Sequence, residues 1–229
     1  MSSVALILGA GPRIGAAVSE QFAASGYKVA IASRNGTGAV NDEGYLSLKA
    51  DFSKPESISS VFEAVKSQLG VPSVVIYNAA ALTPPPDQAS ALSIPADKFT
   101  SDFNVNTVSP YVSAQEAVRG WETLPKDVKK SFIYTGNILN VAVAPAPMML
   151  NLGVGKAASA YWIGVADATY KAKGYRFFYA DERTEEGQSK GQALDGPAHG
   201  DFYTKLAKQD EEIPWHATFS KGKGYVQFN

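Results

Sequence analysis

The chain of 229 residues contains no cysteine, which removes disulfides, a thiol nucleophile and any cysteine-held zinc. Histidine is nearly as scarce: His199 and His216 are the only two, which argues against a structural metal site. No apolar run approaches the roughly 18 residues of a membrane span. No basic leader precedes the first apolar segment after Met1-Ser2-Ser3, so no secretory signal is expected. Neither sign of charge dominates: 21 Lys and Arg against 22 Asp and Glu leave a formal charge of −1. That balance gives no electrostatic reason to expect nucleic acid or an anionic membrane as partner. What the chain does have is apolar material, 45% hydrophobic and 11% aromatic residues against 19% charged. At this length such a composition can bury about 70% of the unfolded surface without covalent staples. Repeats and linkers are absent, so residues 1–229 are expected to form one soluble, cytoplasmic domain.

Residues 4–8 form a continuous apolar run, the pattern of a strand buried on both faces of a parallel sheet. A glycine-rich turn and a helix carrying Val18 and Phe22 follow, with Gly26 as its C-terminal cap. Further strands are expected at 28–32, 45–49, 73–77, 132–134 and 176–179, and an edge strand at 224–228. Ser53 and Pro55 are expected to open a helix whose apolar positions, Ile58, Val61, Phe62, Val65 and Leu69, repeat with helical spacing up to Gly70. Residues 95–120 and 150–172 read as long helices, and 202–209 as a short one. Strands alternating with helices predict a doubly wound, Rossmann-like parallel α/β sheet with helices on both faces.

Ligands on such sheets bind beyond the carboxyl ends of the strands. The first turn, Gly9-Ala10-Gly11-Pro12-Arg13-Ile14-Gly15, opens a helix, whose free amides and dipole suit a pyrophosphate. Gly9 is expected to make the tight turn and Gly15 the close packing behind it. The spacing departs from the Gly-x-Gly-x-x-Gly fingerprint.

Further signals follow in order: Asp51-Phe52 after the third strand, Asn78-Ala79-Ala80 after the fourth, Asn106 in the central helix, and Lys156 in the later one. Together with the turn they resemble the short-chain dehydrogenase/reductase family over most of the chain. The resemblance implies cofactor contacts from Gly9, Arg13, Ile14 and Gly15, an adenine contact from Asp51 and Phe52, and a cofactor role for Asn78, Ala79 and Ala80. It implies a dimer or tetramer as well. Arg13 stands where the family has its middle glycine, and Ala80 where it has the glycine of Asn-Ala-Gly. Were Arg13 held at positive φ, the turn would be strained by roughly 1 kcal/mol or more.

The second strand ends Ala32-Ser33-Arg34 without the carboxylate that binds the ribose hydroxyls of NAD. Ser33 as donor and Arg34 as a planar fork suit a 2′-phosphate, so NADP(H) is expected over NAD(H). The family's proton donor is a tyrosine four residues before its lysine, on the same helix face. Here that position is Leu152, which carries no proton to donate. Tyr45 precedes Lys49 by four residues, but on a strand that spacing is about 13 Å. Tyr161 falls on the opposite helix face from Leu152 and reads as a packing residue. The family's serine is missing too, leaving Thr135, Asn137 or Asn140 to donate to a carbonyl.

Lys156 retains the capacity to bind the nicotinamide ribose. Asn106 shares the buried face of its helix and must be hydrogen-bonded, either to backbone or as part of a catalytic water relay. Thr135, Asn137 and Leu152 would face the substrate. Residues 181–210, polar and glycine-rich at first, read as a mobile lid, with Pro84 to Pro86 as a rigid wall. Trp121, Trp162 and Trp215 read as core or subunit-interface residues, and His199 and His216 as surface or lid residues. The function expected is an NADP(H)-dependent oxidoreductase of a small-molecule carbonyl or alcohol, with Asn106 and Lys156 ordering a proton-donating water. A silent NADP(H)-binding regulatory module and a non-redox cyclase or isomerase are the alternatives.

Overall fold

A computed structural model describes residues 3–228, so the leader reading at Met1 and Ser2 lies outside the described residues. The chain runs β1 (Val4–Leu8), α1 (Ile14–Ala24), β2 (Lys28–Ser33), β3 (Ala39–Val40), β4 (Leu46–Lys49), α2 (Ile58–Gln68) and β5 (Val74–Tyr77). It continues through α3 (Ala96–Phe103), α4 (Ser109–Trp121), β6 (Lys130–Thr135), α5 (Leu150–Tyr170), β7 (Tyr175–Glu182), α6 (Gly196–Lys208), β8 (His216–Ser220) and β9 (Gly224–Tyr225). The strands join one sheet in the order β3-β4-β2-β1-β5-β6-β7-β8-β9. Its pairs are parallel except those made by the short edge strands β3 and β9. The expected doubly wound α/β fold is present.

Alternation along each strand feeds two cores. Val4, Leu6 and Leu8 of β1 point into the layer under α2, α4 and α5, whereas Ala5 and Ile7 point into the layer under α1 and α6. Burial on both faces is why these strands read as unbroken apolar runs. On the α5 face Tyr77, Tyr134 and Tyr179 occupy one row across β5, β6 and β7, and His216 of β8 continues it. Ring centroids along the row lie 5.9, 5.6 and 5.7 Å apart. The phenols leave the row to bond backbone carbonyls of Val105, Asn106 and Asn137.

Several boundaries differ from expectation for local reasons. Ser53 does not cap α2; it donates through N–H and Oγ to Asp51 Oδ1, and a 3-10 turn, Pro55–Ser57, precedes the helix. The helix expected over 95–120 is divided by a π-helical stretch, Asn104–Val108, between α3 and α4. The expected lid is largely structured: Asp181 and Glu182 finish β7, and α6 packs along α1. Between β7 and α6 residues 184–195 form a loop, and that loop is tied down by the Arg183–Ser189 bridge and by Arg13. Strands β3 and β8 were not expected. Tyr161 is solvent-exposed rather than packed, and Trp121 is a core residue.

Helix α5 approaches the π-helical stretch where Gly155 meets Asn106. A Cβ at Gly155 would lie 2.4 Å from Asn106 Cβ. Gly155→Ala should therefore cost about 1–3 kcal/mol by overpacking, read as a lowered urea midpoint at unchanged slope; an unchanged midpoint would show that the two elements part without penalty.

Candidate active site

Because the central strands are parallel, their carboxyl ends share one edge, and strand order reverses between β1 and β5. The turn after β1 lies in that crevice. Gly9 has φ +102°, and a Cβ there would sit 2.3 Å from Ala79 N, so only glycine fits. Asn78 Nδ2 donates to Gly9 O (2.8 Å), and Ala79 N donates to Leu8 O (3.1 Å), stitching the two strand ends together. A Cβ at Gly15 would meet Gly9 O at 2.7 Å, so helix and turn pack tightly. No side chain caps the α1 N-terminus, and its first turn holds no acid. Among the described residues the Ile14 and Gly15 amides have no partner, while Ala16 N donates to Gly11 O (2.9 Å). Arg13 takes φ −100°, which removes the expected strain, and its Nη1 donates to Gln192 O (3.0 Å). The turn thus leaves uncapped amides at the carboxyl edge of the sheet.

The adenosine side is less uniform. Ser33 ends β2, and its Oγ accepts from Asn35 N. Two hydrogen bonds from Ser53 hold the Asp51 carboxyl below its usual range, with Lys54 and then Arg34 adding smaller contributions. Phe52 is a buried ring packed edge-on against Tyr77. Ala80 is exposed.

On the other side of the crevice the π-helical stretch sets the geometry. Asn106 Nδ2 donates to Ala81 O (2.8 Å) and its Oδ1 accepts from Ala81 N (2.9 Å). Its carbonyl accepts from Tyr134 Oη (2.9 Å) and Ser159 Oγ (2.8 Å). Of the two roles open to Asn106, the structure displays the backbone-bridging one.

Lys156 lies one helical turn after Leu152 on α5 and is only 4% exposed. Its Nζ donates to Thr135 O (2.6 Å) and stands 4.4 Å above the Tyr134 ring centroid. Burial pushes its pKa down to about 7, while Asp181 pulls the other way. Thr135 Oγ1 accepts from Tyr203 Oη (2.9 Å), and Asn137 Oδ1 caps the 3-10 turn that follows it. Thr135, Asn137, Leu152 and Lys156 therefore gather at the ends of β6 and α5.

Sequence reasoning placed the charges at the end of β7 in a lid and missed their burial and pairing. Asp181 Oδ2 accepts from Arg183 Nε (2.6 Å), and its Oδ1 is buried without a partner. Burial raises the Asp181 carboxyl, opposed first by Arg183 and then by Lys156. Glu182 faces the other way, accepting from Asp195 N (2.8 Å). The signal was present as an acid-acid-base run continuing an apolar strand.

His199 is fully buried, not on the surface, and its Nδ1 donates to Asp195 O (2.7 Å). His216 is half-buried against Trp215 and Tyr179. Among the described residues no helix is long and apolar enough to cross a membrane.

This arrangement defines a parallel α/β protein with an anion-receptive first turn at its topological switch point. Residues 9–162 match the profile of the family described as enoyl-(acyl carrier protein) reductase. A short chain dehydrogenase/reductase, dmxR12, of Cryptosporiopsis sp. (strain 8999) is 39% identical over 237 residues, covering 99% of this chain and 95% of the relative. Two solved structures share the fold. One is a metagenomic short-chain oxidoreductase in complex with NADP (TM-score 0.80, 18% identity, 95% of this chain and 96% of that one). The other is a 3-ketoacyl-(acyl-carrier-protein) reductase from Brucella melitensis complexed with NADH (TM-score 0.78, 19% identity, 96% and 97%). The chain belongs to the short-chain dehydrogenase/reductase family.

The buried His199 carries a pH signature. Burial lowers its pKa to about 4, so the folded chain refuses a proton that the unfolded chain accepts below about 6.5. Stability should fall as pH drops through that window, by up to about 3 kcal/mol from this group. Glu182, whose carboxyl burial raises, acts in the opposite sense. His199→Phe should flatten the decline relative to wild type in urea midpoints between pH 6.5 and 4. A parallel decline in both proteins would mean that His199 is not held neutral.

Proposed function

We propose that the chain is an NADP(H)-dependent oxidoreductase of a small-molecule carbonyl or alcohol, with Lys156 supplying the proton that a tyrosine gives elsewhere in the family. The observation that carries this reading is Lys156 itself. It is a buried ammonium at the carboxyl edge of β6, one turn beyond Leu152, with Thr135 O taking only one of its three N–H donors. The first turn supports the cofactor half: the uncapped amides of Arg13 to Gly15 fit a diphosphate, Ser33 and Arg34 a 2′-phosphate, and Asp51 with Asn78 to Ala80 the adenosine and ribose edges. When bound, the reduced nicotinamide would deliver hydride to a carbonyl carbon. The Lys156 ammonium gives its proton to the carbonyl oxygen, is left as the amine, and recovers a proton from solvent. An acid with a pKa near 7 suits that transfer at neutral pH. Asp181 favours the charged form of Lys156 and so keeps it loaded. Asn106 takes the positioning part, because its amide is spent on Ala81.

The alternative of a silent NADP(H)-binding module is favoured by the 4% exposure of Lys156, which restricts access to its Nζ. Calorimetry with NADPH and NADH addresses the cofactor first. NADPH should bind tighter than NADH by about tenfold, and Arg34→Ala should remove that margin without weakening NADH, as expected of a charge-assisted pair. Equal affinities in the wild type would refute the preference, and absence of binding to either would refute the whole reading.

Turnover comes second. With NADPH and a carbonyl panel, kcat/KM for reduction should be level below about pH 7 and fall tenfold per pH unit above it as Lys156 loses its proton. Lys156→Met should abolish turnover, and Leu152→Tyr should raise it by about 10²-fold or more by restoring a positioned acid. A protein that binds NADPH but shows neither the limb nor the gain would leave the silent module standing.

A further inference from the structure

Beyond β7 a cavity of about 750 Å³ opens between the loop after β6, the 184–195 loop and the C-terminal tail. Its apolar lining comes from Ile138 and Val141 on the first and from Tyr225 and Phe228 on the last; Arg183 and His216 supply polar lining. The size is that of a whole small-molecule ligand rather than a water site. Two of its lining residues neighbour residues of the proposed reaction site. Ile138 follows Asn137, and Arg183 lines the cavity while its Nε holds Asp181, the carboxylate that faces Lys156.

The walls restrict what fits. The tail is fixed in place: Val226 N donates to Thr218 O (3.0 Å), and the Phe228 ring lies against Gly187, where a Cβ would sit 2.7 Å from it. Flat rings on one side and branched aliphatic groups on the other suit a flat molecule. Charge in the lining is already neutralised or repels anions. The Arg183 guanidinium is committed to Asp181 and, through Nη1, to Gly187 O (3.0 Å), while the exposed Glu186 carboxylate stands at the lining. Burial and Arg183 both push His216 below its usual pKa, so it enters neutral. Its Nε2 lies 3.2 Å from the Asn140 side-chain amide, and Nδ1 has no partner among the described residues. A neutral imidazole nitrogen without a partner recognises a polar group of an uncharged ligand.

We propose that this cavity binds the substrate's body, and that the substrate is an uncharged, flat molecule of two or three rings with a polar group held at His216. The inference rests on the oxidoreductase reading for the word substrate, but not for the binding site. It sets such a ring ketone apart from an open-chain β-ketoacyl thioester, whose flexible chain gains little from rigid aromatic walls.

The test uses the quenching of tryptophan emission, because Trp215 stacks on His216 at 5.5 Å and reports its surroundings. The probes are 1-tetralone, 1,4-naphthoquinone and, as the open-chain comparison, the acetoacetyl thioester of N-acetylcysteamine, each titrated with and without NADPH. The ring probes should quench saturably and more tightly than the thioester. Phe228→Ala, in the tail outside any strand, and His216→Leu should each weaken the ring probes by about tenfold, the loss expected of one buried contact. Trp215→Phe should abolish the signal while leaving binding by calorimetry intact. Ring probes that fail to saturate, that bind both cavity variants as tightly as wild type, or that bind more weakly than the thioester would each overturn the proposal. Ring binding that persists without any NADPH binding would keep the cavity site and defeat the oxidoreductase reading instead.

Discussion

Three phenols and an imidazole in a single row across β5 to β8 set the level on which the candidate site is built. Strands about 4.8 Å apart place the rings within stacking reach, and their registry leaves each hydroxyl at the same height above the sheet. A buried hydroxyl must find an acceptor. Tyr77 finds Val105 O and Tyr134 finds Asn106 O, both in the π-helical stretch, whereas Tyr179 finds Asn137 O. A π-helical turn is wider than an α turn and offers carbonyls to partners outside the helix, which is what this row requires. The same contacts fix where Asn106 reaches Ala81, where Gly155 can approach, and hence where α5 holds Lys156.

A lysine ammonium is an unfavourable guest in such a layer. Desolvation disfavours its charge, and one carbonyl, one ring face and a nearby carboxylate offset only part of that cost. The Asp181–Arg183 pair makes a second buried charge cluster, with Asp181 Oδ1 still unpartnered. Packed apolar residues would stabilise the fold as well or better. Buried charge that burdens the fold and gathers at the carboxyl edge of the sheet is the arrangement expected of chemistry, because perturbed groups concentrate where proton transfer is needed.

Much of this frame was legible beforehand. Continuous apolar runs marked β1, β2, β5 and β7, because strands buried on both faces cannot carry the alternation that hides others. Gly9 was legible because the turn after a buried strand permits few residues. The failures share a cause: polar residues inside the protein are paired by tertiary contacts that local pattern does not report. Asp181 to Arg183 read as a lid because they are charged, yet Asp181 and Arg183 pair with each other and Glu182 accepts from Asp195 N at the α6 terminus. His199 read as surface because it stood alone, yet Asp195 O and the rings of Tyr203 and Phe219 enclose it. Strand β8 mixes His216, Thr218 and Ser220 with apolar partners and lacks an apolar run. Tyr161 is instructive in the other direction: its helical phase opposite the inward Leu152 already implied exposure, and the aromatic side chain argued wrongly against the geometry.

Alternation along β7 ties these pieces together. Asp181 and Arg183 point toward α5, while Glu182 between them points toward α6, so one short segment serves both layers. Arg183 is the hinge of the arrangement. Through Nε it fixes the carboxylate beside Lys156, and through Nη1 it holds the Gly187 carbonyl, against which the Phe228 ring rests. Neutralising Arg183 would release the Asp181 charge into a layer that cannot solvate it and loosen the cavity wall at the same time. The setting of the Asp181 carboxylate and the form of the cavity wall therefore both depend on a single guanidinium.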